Sequence, residues 1–142
     1  MVPEINYWAV LLATASSMLV GSIWYAPKVF GTRWSKLANV DMDRAGSSAT
    51  MAIITTVIVS FITAWVLAGA SAIAWHFYGG SFFWGAIITS VTLWAGFTAA
   101  RFITHDAFEG RPTALTTMNI AHELVTVVVM AVLIGVWPPA LG

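Results

Sequence analysis

The 142 residues are 59% hydrophobic and only 8% charged, with six basic and six acidic side chains and a formal net charge of zero. Together with a mean hydropathy of +0.85, this excludes a soluble domain, which needs a charged exterior, and gives no basic field for nucleic acid. The chain has no cysteine, so disulfides, thiolate zinc sites and iron–sulfur clusters are excluded too.

Crossing about 30 Å of hydrocarbon takes roughly 20 helical residues. Four apolar segments meet that length, at 6–25, 51–75, 82–104 and 116–137. Continuous runs satisfy their backbone amides as helices, whereas barrel strands are shorter and alternate. The expected fold is all-α, an antiparallel bundle of four transmembrane helices forming a single domain over 1–142. No basic residue precedes the first segment and its apolar run exceeds a signal core, so it is expected to stay in the mature chain.

Helix one carries Ala9, Ala13, Ser17 and Gly21, a stripe of small residues at four-residue spacing. Helix two carries a second stripe, Ser60, Ala64, Ala68 and Ala72. Apolar helices gain little from burying one another in lipid, so close van der Waals approach must hold them, and small residues permit it. The two stripes run antiparallel and are expected to press on a neighbouring helix, either within the chain or in a second copy.

Between these helices, 26–48 forms the first connection. Its most distinctive string holds Trp24, Tyr25, Pro27, Phe30, Gly31, Arg33 and Trp34. Pro27 ends helix one, Gly31 permits a tight bend, and aromatics mixed with Lys28 and Arg33 suit the headgroup zone. The string reads as an interfacial segment along the inner leaflet that fixes the depth of helix one, with a lipid-headgroup or ligand site as its alternative. Asp41 to Ser48 is polar, contains Gly46, and reads as a loop.

All six cations, Lys28, Arg33, Lys36, Arg44, Arg101 and Arg111, lie in or beside the first and third connections. The positive-inside rule puts those connections in the cytoplasm and both termini outside. Aromatic residues agree: Tyr7, Trp8, Trp75, Tyr78, Trp84 and Trp137 mark one interface, and Trp24, Tyr25, Phe30 and Trp34 the other. Trp65 and Trp94 fall near mid-membrane.

Helix four offers Asn119, His122, Glu123 and Thr126, whose offsets of three and four put them on one face. An ionised carboxylate among acyl chains is costly, so that face should meet protein or water. Arg101, one turn inside the same end of helix three, is expected to pair with Glu123 and clamp helices three and four. The other readings of the cluster are a proton or ligand site, and a metal or haem site using His122 with His105 or Asp106. The ligand spacing for the last is sparse, so no metal or cofactor is expected.

The pattern of Trp24, Tyr25, Pro27, Phe30, Gly31 and Trp34 resembles an uncharacterised family of small four-span bacterial membrane proteins, a domain of unknown function. The likeness continues through Leu93 to Phe97, Phe108 to Pro112, Asn119 and His122, and Ile134 to Trp137. Where members often carry a small-aromatic pair before the helix-four histidine, this chain has Ile120 and Ala121, followed by Glu123. The resemblance implies topology and site location, and no activity.

Phosphate loops, nucleophile elbows and paired-histidine zinc motifs are missing from the sequence. Its first expected role is a homo-oligomer or an accessory subunit of a larger membrane complex, since the small-residue stripes offer self-complementary surfaces. The alternatives are a small-solute or proton-coupled transporter or channel using Glu123 and His122, and a lipid- or quinone-handling enzyme beside Trp24, Tyr25 and Arg33. The expected location is a bacterial inner (plasma) membrane, with the lipid bilayer itself as the first partner.

Overall fold

The computed structural model describes residues 3–41 and 47–140, with backbone alone at 47–49. Arg44 and Gly46 of the first connection lie outside the described residues.

Helix α1, Tyr7–Trp24, starts at Asn6, whose Oδ1 accepts from the amides of Trp8 at 3.0 Å and Ala9 at 3.2 Å. Those amides have no partner inside the helix, so the cap supplies one. Asn6 Nδ2 donates to the Trp137 carbonyl at 3.2 Å, which ties the start of the first span to the end of the last. Ala26 is extended, as the residue before a proline must be, and the chain then makes a π-helical turn, Pro27–Gly31. Helix α2, Thr32–Ala38, follows and stops at Asn39, whose φ of +54° reverses the chain.

Helix α3, Ser47–Tyr78, leads through Gly79 and Gly80, both at positive φ, to α4, Phe82–Leu93. Trp75 Nε1 closes that hairpin on the Gly80 carbonyl at 3.0 Å. Helix α4 passes into a π-helical stretch, Trp94–Ala99, and then into α5, Ala100–Glu109, so Phe82–Glu109 is one span. Helix α6, Thr113–Val136, completes the chain.

Among the described residues, four helices are long and apolar enough to cross a membrane. The helices overrun the apolar segments, α3 by several residues and the third span as far as Glu109. Hydropathy marks where hydrocarbon begins, and a hydrogen-bonded helix continues into water until a cap stops it.

Helices α1 and α4 each pack against both α3 and α6, giving a four-cornered bundle in which α3 and α6 scarcely meet across the diagonal. Val10 and Ala13 of α1, Ala64, Leu67 and Ala68 of α3, and Val127, Met130 and Ile134 of α6 form the core. Ala9, Ala13, Ser17, Ser60, Ala64, Ala68 and Ala72 are all buried within the single chain. Gly21, the last member of the first stripe, faces α6, and a Cβ there would sit 3.8 Å from His122 Nε2.

Helices α6 and α4 approach closely at Gly135, where an added Cβ would come 3.0 Å from Phe83 Cα. That atom is backbone and cannot swing aside. Gly135→Ala is therefore expected to push α6 off α4 at a cost of about 2 kcal/mol, read as a lower unfolding temperature in detergent.

Toward the end that carries the first and third connections, α3 leaves the bundle, and residues 51–59 are exposed throughout. This departure opens the space described next.

Candidate functional site

Where α3 swings away, a cleft of about 500 Å³ lies between α1, α3 and α6. Helix α6 contributes His122, Glu123 and Thr126 to its wall, and α3 contributes Thr55, Thr56, Ser60 and Thr63. Ser17, Ser22 and Tyr25 of the first span complete a lining rich in hydroxyls. Measured from Trp137 at about 1.5 Å per residue, His122 lies about 22 Å down α6, inside an apolar layer about 30 Å thick. Glu123 shares this depth.

His122 is the most enclosed ionisable group of the cleft. Its ring centroid lies 4.9 Å from that of Tyr25 and 5.7 Å from that of Trp24. Nδ1 is 3.4 Å from Glu123 Oε1, and Nε2 is buried with no hydrogen-bond partner. A Cβ at Gly21 would stand in ordinary van der Waals contact with Nε2. The His122 side chain is 13% exposed and that of Glu123 38%, so the carboxylate looks into the cleft while the imidazole lies behind it.

The aromatic string packs on this site through Trp24 and Tyr25. Trp24 meets Phe30 at 4.5 Å, and Tyr25 meets Trp34 edge-on at 5.1 Å. Trp34 Nε1 donates to Asn119 Oδ1 at 3.1 Å, so α2 is fastened to α6. Pro27 opens the turn and the buried Gly31 closes it, while Arg33 stays exposed.

A second cleft, about 450 Å³, lies where the π-helical stretch and α5 face α6. Arg101, His105, Asp106, Glu109 and Arg111 line it with Asn119. Asp106 is buried, accepts from Thr116 Oγ1 at 2.6 Å, and lies 3.8 Å from Arg111 Nε. Arg111 Nε also bonds Glu109 at 2.6 Å, and that bond raises the guanidinium pKa further above its ordinary value.

The expected polar cluster is thus divided. His122, Glu123 and Thr126 share the first cleft, whereas Asn119 and Arg101 line the second. Arg101 does not pair with Glu123; the ion pairs among the described residues are Arg111 with Asp106, Arg111 with Glu109, and His122 with Glu123. Helical spacing gives the residues that share a face, but the Glu123 side of α6 meets α1 and α3, not α5. His105 and His122 line different clefts, as do Asp106 and His122.

Instead of an Arg101–Glu123 clamp, the third and fourth spans are joined by Thr116 with Asp106 and by Trp94 Nε1 donating to the Ile120 carbonyl at 3.0 Å. The second bond accounts for a tryptophan near mid-membrane. The sequence carries two further signals for these contacts: Thr56, Ser60 and Thr63 recur on one face of α3, and Asp106 precedes Thr116 across a short turn.

A protein-family match covers residues 8–135, which takes in both clefts. The chain belongs to that family, described as a protein of unknown function, DUF1761. No curated protein and no solved structure matches it. For this DUF1761 protein the residues must therefore speak for the chemistry. The first cleft offers one carboxylate, one imidazole and many hydroxyls, a set that can hold a proton or a small hydrogen-bonding solute.

Proposed function

We propose that this multi-pass DUF1761 protein is a small-solute or proton-coupled carrier, with the cleft between α1, α3 and α6 as its binding site. The reading rests on His122, held between Tyr25 and Trp24 with Nδ1 against Glu123, beside a hydroxyl-lined space at membrane depth. Intramembrane carboxylates and histidines are costly, and proton relays are among their recurring uses. Glu123 takes up or releases the proton in this scheme, and His122 shares it. The cations flanking the first and third connections favour a bacterial inner membrane with both termini outside.

Proteoliposomes given a pH jump, with an internal pH-sensitive dye, test the idea. Wild type is expected to dissipate the gradient faster than protein-free vesicles, and Glu123→Gln to return the rate to that baseline with unchanged reconstitution. A wild-type rate at the baseline, or an undiminished Glu123→Gln rate, would count against proton coupling.

A second reading, a homo-oligomer or an accessory subunit of a larger membrane complex, is favoured by one observation. Residues 51–59 of α3 are exposed, and the cleft leaves Glu123 partly uncovered where a second chain could cover it. The small-residue stripes no longer recommend it, being consumed inside the fold. Native mass measurement in mild detergent separates the two, since a lone chain disfavours the oligomer or accessory role.

A further inference from the structure

In the second cleft the acids and Arg111 are satisfied, while its other donors, Arg101, Asn119 and Thr98, are not. Asp106 accepts from Thr116 and lies beside Arg111, and Glu109 holds Arg111 at 2.6 Å. Arg101 makes no ion pair and no hydrogen bond among the described residues. The Asn119 amide is oriented by its neighbour: Trp34 Nε1 is a donor and requires the Asn119 oxygen, so the two N–H groups of Nδ2 are left over for the cleft that Asn119 lines. Thr98 also lines this cleft and lies in the π-helical stretch. Thr92, Thr104 and Thr117 each donate to the carbonyl four residues back, and Thr98 makes no such bond.

A guanidinium, an amide N–H pair and a hydroxyl therefore line one cleft without an acceptor among the described residues. Oxygen anions fit that set, and phosphate best of all, because the arginine fork matches two of its oxygens. Depth selects the source. Arg101 lies about 28 Å from Phe82 along a helix rising about 1.5 Å per residue, at the edge of an apolar layer about 30 Å thick. That is where headgroup phosphates lie. Phe97, one turn deeper in the π-helical stretch and 73% exposed, offers apolar surface for chains descending from a headgroup.

We propose that this cleft binds the phosphate of a glycerophospholipid headgroup through Arg101, with Asn119 and Thr98 as supporting donors. The site is separate from the Glu123 cleft, and its occupancy does not depend on the transport reading.

Native mass spectrometry of protein extracted from vesicles of phosphatidylglycerol and phosphatidylcholine provides the test. Wild type is expected to retain phospholipid adducts that survive detergent exchange. Arg101→Gln is expected to weaken retention roughly tenfold, in line with loss of a charge-assisted bond. Lys36→Gln, which removes an exposed cation from α2, should leave retention unchanged. Thr98→Val removes a donor without touching charge and keeps the question open to test if Arg101→Gln folds poorly; it should lower retention severalfold. A second arm titrates inorganic phosphate into lipid-free protein. Phosphate binding that Arg101→Gln abolishes, without selective lipid retention, would overturn the lipid assignment in favour of a soluble anion. Retention equal in wild type, Arg101→Gln and Thr98→Val would overturn the site altogether.

Discussion

Gly31→Ala is expected to destabilise the protein by roughly 3 kcal/mol, at the upper end of the usual cost of overpacking. The turn Pro27–Gly31 curls so tightly that an added Cβ would fall on the Tyr25 carbonyl oxygen and within 3.0 Å of the Ala26 carbonyl carbon. Both atoms are backbone, and the Ala26 carbonyl is held: the Gly31 amide donates to it at 3.0 Å and the Val29 amide to the same oxygen at 2.9 Å. The requirement is one of space, since the backbone angles at Gly31 are ordinary helical ones. Relief must therefore come from opening the turn, which carries Trp34 away from Asn119 and loosens the ring contact of Trp34 with Tyr25. Thermal unfolding in mild detergent measures the loss, with Gly85→Ala as comparison because a Cβ there meets nothing within 4 Å. That control should be neutral or gain up to about 1 kcal/mol from better helix propensity. Equal unfolding temperatures for Gly31→Ala and wild type would mean that the turn is not formed as described.

The contrast between Gly31 and Arg101 shows how far the sequence could be read. Pro27 and Gly31 announce a break and a bend because their constraints are local, acting within a few residues of backbone. The four spans were legible for a similar reason: hydropathy is a property of each segment alone, and lipid imposes one minimum length on all of them. The small residues of α1 and α3 likewise declared a packing face before any partner was known, and the fold buries that face. Arg101 and Glu123 failed on a different kind of information. Their pairing needs the rotation of α6 about its own axis relative to α5, and no periodicity within either helix supplies it. Trp34 with Asn119, and Trp94 with the Ile120 carbonyl, were hidden for the same reason. The departure of α3 from the bundle, which makes the first cleft, is not given by hydropathy, since 51–59 is apolar but for Thr55 and Thr56.

Asp106→Ala should cost about 3 kcal/mol, because it removes a hydrogen bond to a charged group and strands a buried hydroxyl. Asp106 is 7% exposed and Thr116, whose Oγ1 donates to it at 2.6 Å, is 8% exposed, so water cannot readily replace either partner. The carboxylate also lies beside the first turn of α6, which begins at Thr113, and a negative charge there is favoured by the helix dipole. Arg111 adds little, being half exposed, 3.8 Å away and already bonded to Glu109. Asp106→Asn should be milder, near 1 kcal/mol by rough estimate, because an amide oxygen can still accept from Thr116 while the charge is lost. A double-mutant cycle with Thr116→Val isolates the bond, and the coupling expected is about 1 to 2 kcal/mol. Near-additive losses would instead mean that Asp106 acts through Arg111 or the dipole. A strong coupling would put the fastening of α5 to α6 on this one bond, just outside the apolar layer, and would leave Glu123, which faces away from α5, without a structural duty to explain its presence in the membrane.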